Sequence, residues 1–271
     1  MPLRVMPTIN QRDPTLTTAL RMAYSRQMRV RFNAVRKLVI TSVVSNDALR
    51  LKSGILVFQA EPLTRLTLPS DDVRKISAFV DWLREIMEIE ILEGSDVTPG
   101  HWQNQFIREA YLRGVKRADG ELQKVGLLRD FAPVPLDLPG VLVPVNDAAL
   151  QVLYLNNFEL IKSVTEQSLG RVRQTLVQGI LEGVNPRLMA RRMVGSLEIG
   201  IKDAERIART EVIRAFNEGA LNRYEQFGVE GVTAQVEFAT AGDARVCIRC
   251  KSLDGTIRRL QDARGLIPLH P

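Results

Sequence analysis

The sequence predicts a mainly α-helical protein, in which long amphipathic helices are joined by proline-rich linkers. A small C-terminal α+β knob is expected, with a short strand or hairpin around a Cys-x-x-Cys pair. Three observations support this fold class. Apolar residues recur three, four or seven positions apart through most of the chain up to Gly228. Alternation of apolar and polar residues, which indicates a strand, appears only after that point, over Val232 to Phe238. Aromatic residues make up only 6% of the 271 residues, which favours packing by aliphatic side chains.

Proline content divides the sequence into four segments. Residues 1–14 carry three prolines and predict an extended arm. Residues 15–130 form a basic region with helical patterns. Four prolines and a glycine in residues 131–145 exclude a helix and predict a linker. Residues 146–271 then form the C-terminal domain.

Local capping patterns place the helices of the first half. Thr15 is the expected cap of the first helix, and Ser70 is the expected cap of the second, which should end by Gly94. Thr98-Pro99 predicts the start of a third helix, because proline is favoured in the first helical turn. That helix is expected to end near Gly120.

The second half has similar patterns. Asn146 is the expected cap of a long helix. Asn185-Pro186 predicts a short helix that ends near Gly195, and another helix is expected over Asp203–Phe227. The Asp-Gly pair within Leu253–Thr256 predicts a hairpin turn.

Composition limits the classes of protein to which this chain can belong. Hydrophobic residues make up 45% and charged residues 25%, as in an ordinary soluble globular protein. No apolar run approaches the roughly 18 to 20 residues that cross a bilayer. We therefore expect no membrane partner and synthesis in the cytoplasm. The net charge of +6 and the isoelectric point near 9.6 permit a polyanionic partner.

The positive charge is concentrated at the start of the chain. In the first fifth, only Asp13 and Asp47 oppose ten basic residues. Arginine pairs equally well with carboxylates and phosphates, so the first helix is a candidate for binding an acidic protein surface or DNA. The alternative is an ordinary solvated face. The candidate binding residues are Arg21, Arg26, Arg29, Arg31, Arg36 and Lys37.

Two cysteines, Cys247 and Cys250, have the spacing of a zinc knuckle, in which two thiolates bind one tetrahedral ion. His270 is the candidate third ligand. Zinc is therefore the one cofactor that the sequence suggests. Two alternatives stay open: a pair of structural thiols that pack a small domain, and a redox pair.

A polar cluster precedes the cysteines. Arg209 and Glu211 lie on a predicted helix and Asn217 follows on the same helix. These residues, with Asp243, are candidates for a structural network that ties the helix to the knuckle. The alternatives are a solvated ladder of ion pairs and a catalytic role for the glutamate.

The motifs of the last third occur in a distinctive order. They are Ile207-Ala-Arg-Thr-Glu211, Asn217-Glu-Gly219, Ala239-Thr-Ala-Gly-Asp243-Ala-Arg-Val-Cys247-Ile-Arg-Cys250, Leu253-Asp-Gly255 and Ile267-Pro-Leu-His270-Pro271. Over roughly residues 145 to 271, this series resembles the phage head morphogenesis family, the Mu F-like minor head proteins of tailed bacteriophages. The family's usual ending is His-Pro-x-Cys-Arg-Cys, of which this sequence contains the His-Pro.

The resemblance implies a virion protein of low copy number, held inside the capsid near the portal. Such a protein would act in head assembly, genome packaging or DNA ejection and would not be an enzyme. Its partners would be the portal protein, packaged double-stranded DNA, and capsid or scaffold proteins. Two other functions stay open: a zinc-knuckle nucleic-acid-binding protein, and an enzyme of the toxin or nuclease type that carries a Mu F-like module.

Overall fold

The helices and strands follow the predicted order. A computed structural model describes residues 13, 15–49, 51, 72–94, 98–124, 146–226, 235–244 and 246–269. The elements in these ranges are α1 (Thr18–Ile40) with a π-helical turn (Thr41–Ser45), α2 (Asp72–Met87) with a π-helical turn (Glu88–Leu92), α3 (Trp102–Lys124), α4 (Asp147–Leu181), α5 (Pro186–Gln226), β1 (Gln235–Glu237), α6 (Ile248–Leu253), β2 (Ile257–Arg259) and α7 (Leu260–Ala263). The mainly α class with a small β-containing C-terminal knob is confirmed.

Several predictions concern residues outside these ranges. They are most of the arm, the linker over 131–145, the cap at Ser70, the first part of the alternating segment at Val232, and the metal ligand His270.

In the part of the chain that the structure describes, no helix is long and apolar enough to cross a membrane.

The first helix is capped by Asp13, not by Thr15 as predicted. One carboxylate oxygen of Asp13 accepts the backbone N–H of Thr18 at 2.7 Å and the Thr18 hydroxyl at 2.6 Å. The Thr15 hydroxyl donates to the other oxygen at 2.9 Å. Burial opposes the ionisation of Asp13, but these hydrogen bonds and the charge of Arg21 outweigh it, so the pKa of Asp13 lies below its ordinary value.

Local caps begin the two longest helices where the sequence predicts them. The Asn146 side-chain oxygen accepts the backbone N–H of Ala149 at 3.0 Å. Asn185 does the same for Leu188 at 2.9 Å. Each bond satisfies one of the N–H groups that a helix start leaves without an intrahelical partner.

Two predicted helix ends are wrong. Helix α3 continues through Gly120 to Lys124, and the two helices expected after Asn185 are one continuous helix, α5. A glycine inside a helix costs about 1 kcal/mol. The burial of Leu197 and Ile201, both 0% exposed, outweighs the cost of Gly195 in α5.

The described chain forms two compact units. Unit 1 comprises Met1–Tyr24, Val97–Asn156 and Ala208–Pro271, and unit 2 comprises Ser25–Asp96 and Asn157–Ile207. Each unit combines segments from both sequence halves, whereas the segments predicted from proline content are consecutive. The core of unit 2 includes Met28, Phe32, Phe79, Leu83, Ile161 and Leu197.

In unit 1, helices α3 and α5 contact each other through glycines. A Cβ atom at Gly219 of α5 would overlap the backbone carbonyl of Tyr111. A Cβ atom at Gly114 of α3 would overlap the carbonyl of Phe216 and approach the backbone nitrogen of Ala220. The two backbones therefore touch at a distance that only glycine permits.

The C-terminal knob belongs to unit 1. Strands β1 and β2 pair antiparallel, with Val236 opposite Arg258. The predicted Asp254-Gly255 turn is present, and Gly255 has a φ of +76°. The turn joins α6 to β2, however, and does not join two strands in a hairpin. The Asp254 carboxylate accepts the backbone N–H of Thr240 at 2.7 Å, which fixes the loop after β1.

We expect Gly219→Ala to destabilise the protein by about 1–3 kcal/mol, because the added methyl group would push α3 away from α5. Urea denaturation measures the change in the free energy of unfolding. Gly195→Ala on the same helix is the control, since a Cβ atom there meets nothing within 4 Å. The control should be neutral or stabilising by up to about 1 kcal/mol. Equal stability of the two variants would contradict the close contact.

We expect Asp13→Ala to destabilise the protein by about 1 kcal/mol at pH 7, the usual cost of losing a helix cap. Because the folded pKa of Asp13 is lowered, its stabilisation is present above the unfolded pKa and is lost as the pH falls through the folded pKa. Urea titrations from pH 7 to pH 3 should therefore show the difference from wild type shrinking. Asp81→Ala, at an exposed ion pair, should have little effect at any pH. A difference that does not depend on pH would exclude a charged cap.

Candidate functional site

Most basic residues of α1 are paired with carboxylates of the same unit. Arg29 binds Glu205 at 2.7 Å, between Nε and Oε1. Arg36 binds Glu198 at 3.1 Å, between Nη1 and Oε2. Both glutamates lie on α5, more than 160 residues away in the sequence. The local excess of arginine is therefore neutralised by residues that the sequence places far away.

Two more arginines have structural partners. Arg31 donates to the backbone carbonyl of Glu90 at 2.8 Å and pairs with Glu93 at 2.6 Å. This guanidinium lies at the C-terminal end of the π-helical turn after α2, where the helix dipole favours a cation. Arg21 pairs with Asp13 at 3.3 Å. Four of the six predicted binding residues thus help to hold the protein's own structure.

Arg26 and Lys37 are different. Both are exposed, and neither has a hydrogen bond or ion pair with any described residue. They share the solvent face of α1 with Val30 and Ile40, which are 57% and 42% exposed. We call these four residues the α1 stripe. At its end, a hollow of about 290 Å³ is lined by Asn33, Arg36, Lys37, Ile40 and Thr41.

The predicted polar network is divided between different environments. Glu211 is only 1% exposed and accepts a hydrogen bond from Asn156 at 2.9 Å. Arg214 donates from Nε to both of its carboxylate oxygens at 3.1 Å. The Asn217 amide donates to the carbonyl of Ile213, one turn earlier on its own helix, at 2.8 Å.

The structure brings the other two network residues together. Arg209 and Asp243 both line a hollow of about 550 Å³ in unit 1, which we call the Arg209 hollow. Neither Glu211 nor Asn217 lines it. The full lining is Asp13, Thr15, Thr18, Arg21, Met22, Arg209, Ile213, Ala241, Asp243 and Val246.

The two cysteines lie together at the start of α6. Both are half-buried thiols, and the backbone N–H of Cys250 donates to Sγ of Cys247 at 3.4 Å. Burial and the neighbouring Cys247 raise the pKa of the Cys250 thiol, so the pair as described favours the neutral form. A bound cation would reverse that preference.

The described residues supply two of the donors that a zinc ion requires. No group of three or more His, Cys, Asp or Glu side chains in the described ranges could hold a metal ion. The third predicted ligand, His270, lies outside those ranges. A zinc site would therefore need further ligands in addition to Cys247 and Cys250, and zinc binding stays a prediction.

Comparison with known proteins finds a similarity in the C-terminal region. The family model described as Phage Mu protein F like protein matches residues 170–269. We call the matched residues the Mu F-like region. No curated protein and no solved structure matches the chain. The match supports the interpretation of the chain as a phage head-related protein, and it includes Arg209, Glu211, Cys247 and Cys250.

The Mu F-like region contains a further polar site that the sequence analysis missed. Arg264 follows α7 and reaches α5, where Nη1 donates to Glu218 at 2.9 Å and Nη2 to Asn222 at 2.6 Å. Its Nε donates to Glu225 at 3.0 Å. These three acceptors recur at positions i, i+4 and i+7 of α5, a polar stripe that sequence analysis could have detected.

The contacts of Arg264 continue into α3. The Asn222 amide donates to the hydroxyl of Tyr111 at 3.0 Å. Tyr111 is fully buried, and burial raises the pKa of its hydroxyl. A continuous series of hydrogen bonds therefore joins the knob to α5 and α5 to α3.

We expect Arg264→Ala to loosen the knob, because the variant loses three charge-assisted contacts to α5. Amide hydrogen exchange at Phe238 and Thr256, whose N–H groups are bonded within the knob, should accelerate on the order of tenfold. Arg259→Ala removes only an exposed pair with Asp262 in the same knob and serves as the control. Unchanged exchange in the Arg264 variant would show that the knob does not depend on this residue.

Proposed function

We propose that this chain is a minor capsid protein of a tailed phage, bound to the portal protein inside the head. It acts in head morphogenesis, and in genome packaging or delivery, without catalysing a reaction. The observation that carries the proposal is the Mu F-like match over residues 170–269, which includes the motifs from Ile207-Ala-Arg-Thr-Glu211 to Leu253-Asp-Gly255. The protein would be made in the host cytoplasm and carried in the virion.

The surface that best suits docking on the portal is the α1 stripe. Arg26 and Lys37 lie eleven residues apart, about 16 Å along a helix that rises about 1.5 Å per residue. Val30 lies between them and Ile40 just beyond. A partner surface with carboxylates and aliphatic side chains would complement both the charges and the apolar residues.

Packaged DNA fits this surface less well than a protein does. Of the six basic candidates, only Arg26 and Lys37 have no carboxylate partner among the described residues. Glu198 and Glu205 lie beside the paired arginines and would repel phosphates. Two phosphate contacts would also give only a weak, salt-sensitive affinity. In addition, DNA would leave Val30 and Ile40 without an apolar partner.

The environment of Glu211 supports a non-catalytic role. This carboxylate is almost completely buried, and its oxygens accept hydrogen bonds from Asn156 and Arg214. A general acid or base must reach the proton that it transfers, and a substrate would have to displace these partners first. The geometry thus favours the structural interpretation of this glutamate over the catalytic one.

We expect the double variant Arg26→Glu/Lys37→Glu to enter phage heads less efficiently than the wild type. Reversing two charges in the proposed interface should lower incorporation on the order of tenfold, equivalent to about 1.4 kcal/mol. The measurement is the ratio of this protein to portal protein in purified virions.

The matched control is Arg173→Glu/Arg191→Glu, which reverses two other exposed cations of unit 2 that have no partner among described residues. Normal incorporation of the α1 variant would exclude the α1 stripe as the docking surface. Absence of the wild-type protein from virions would contradict the proposed function as a whole.

A further inference from the structure

The Arg209 hollow has the size of a ligand site. Its volume of about 550 Å³ lies within the range of small-molecule pockets, about 300–1,000 Å³. Three separate parts of unit 1 line it. They are the start of α1 with Asp13 and Thr15, one turn of α5, and the loop residues Ala241, Asp243 and Val246. Neither the docking surface proposed above nor the cysteine pair includes the residues that line it.

Arg209 lines this hollow and is exposed to solvent. It forms no hydrogen bond or ion pair with any residue in the described part of the chain. Some other α5 arginines do have carboxylate partners, such as Arg206 with Asp203 at 2.9 Å. Arg209 thus presents its donors to whatever enters the hollow.

Arg21 adds a second positive charge to the lining of the hollow. Its Nη2 group donates to Asp13 and Thr18, so its guanidinium is held in place by described residues. The oxygens of Asp13 accept bonds from Thr15, Thr18 and Arg21, and among the described residues Asp13 forms no ion pair with Arg209.

The remaining lining determines which anion fits. Met22, Ile213 and Val246 supply apolar surface beside the guanidinium. Asp13 and Asp243 place two carboxylates in the same hollow, and their negative charge disfavours a phosphate dianion more than a monoanion. The complementary group carries a single negative charge on planar oxygens and an apolar substituent next to it.

We propose that the Arg209 hollow binds a carboxylate carried on a small apolar group, with Arg209 as the principal ligand and the charge of Arg21 beside it. A planar guanidinium matches a carboxylate with two parallel hydrogen bonds. The carboxylate belongs either to a free small acid or to the C-terminal end of a peptide. The inference stands independently of portal binding.

Isothermal titration of the full chain tests the site. The probes are N-acetyl-leucine, acetyl-Ala-Ala-Leu with a free carboxylate, the amidated form of that peptide, and inorganic phosphate. Both carboxylate probes should bind saturably at one site, and the amidated peptide should bind at least tenfold more weakly. Tighter binding of the peptide acid than of N-acetyl-leucine identifies a peptide end as the ligand, and equal binding identifies a small acid.

Variants assign the binding to the hollow. Arg209→Gln should weaken the carboxylate probes at least tenfold, and Arg209→Lys should have a smaller effect because it keeps the charge but loses the planar fork. Arg191→Gln is the control, since it removes an exposed cation of the same helix outside the hollow. Circular dichroism checks that each variant is folded. The proposal is overturned if phosphate binds more tightly than the acids, if the amide binds equally well, if no probe binds, or if Arg209→Gln changes nothing.

Discussion

The close approach of α3 to α5 constrains the rest of unit 1. Gly114 and Gly219 allow the two backbones to touch. This contact fixes the position of each helix along the axis of the other, and so decides which residues of the two helices lie side by side. It places the Tyr111 hydroxyl within hydrogen-bond distance of Asn222. Asn222 in turn accepts from Arg264, so the position of the knob depends on the close contacts that Gly114 and Gly219 make with the backbone of the facing helix.

Several arginines of α1 are neutralised by carboxylates that are close in the tertiary structure but distant in the sequence. The arginines of α1 are concentrated at the start of the chain, but the carboxylates that neutralise Arg29 and Arg36 lie on α5. Each exposed ion pair contributes little to stability, typically 0–1 kcal/mol. Their larger effect is on the surface potential, because Arg26 and Lys37 are the only cations of α1 that the described residues leave without a carboxylate partner.

The sequence predicts those features that are decided locally. The caps at Asn146 and Asn185, the mainly α class and the Asp254-Gly255 turn all depend on residues a few positions apart. The continuity of α5 was missed because it depends on burial of Leu197 and Ile201, which outweighs the local cost of Gly195.

The candidate sites were predicted less completely than the fold, for the same reason. Arg209, Glu211 and Asn217 lie on one helix but point in different directions. Arg209 lines a hollow, and Glu211 is buried between Asn156 and Arg214. Asn217 donates to the backbone of its own helix. Arg209 and Asp243 both line the Arg209 hollow, although no pattern in the sequence shows that Arg21 joins them. Arg264 had no local signal of its own, because its three acceptors lie on a different element.

The division into units has a consequence for folding during synthesis. Unit 2 ends at Ile207, so all of its segments exist before the knob has been translated. Unit 1 contains both the cap at Asp13, near the start of the chain, and Arg264, near its end. Its first segment therefore cannot complete its contacts until its last segment has been synthesised. While the ribosome completes the chain, α3 exposes the apolar face around Gly114 that α5 will cover. Pairing of segments so distant in sequence is slow, which makes this interval the one in which a chaperone is most useful.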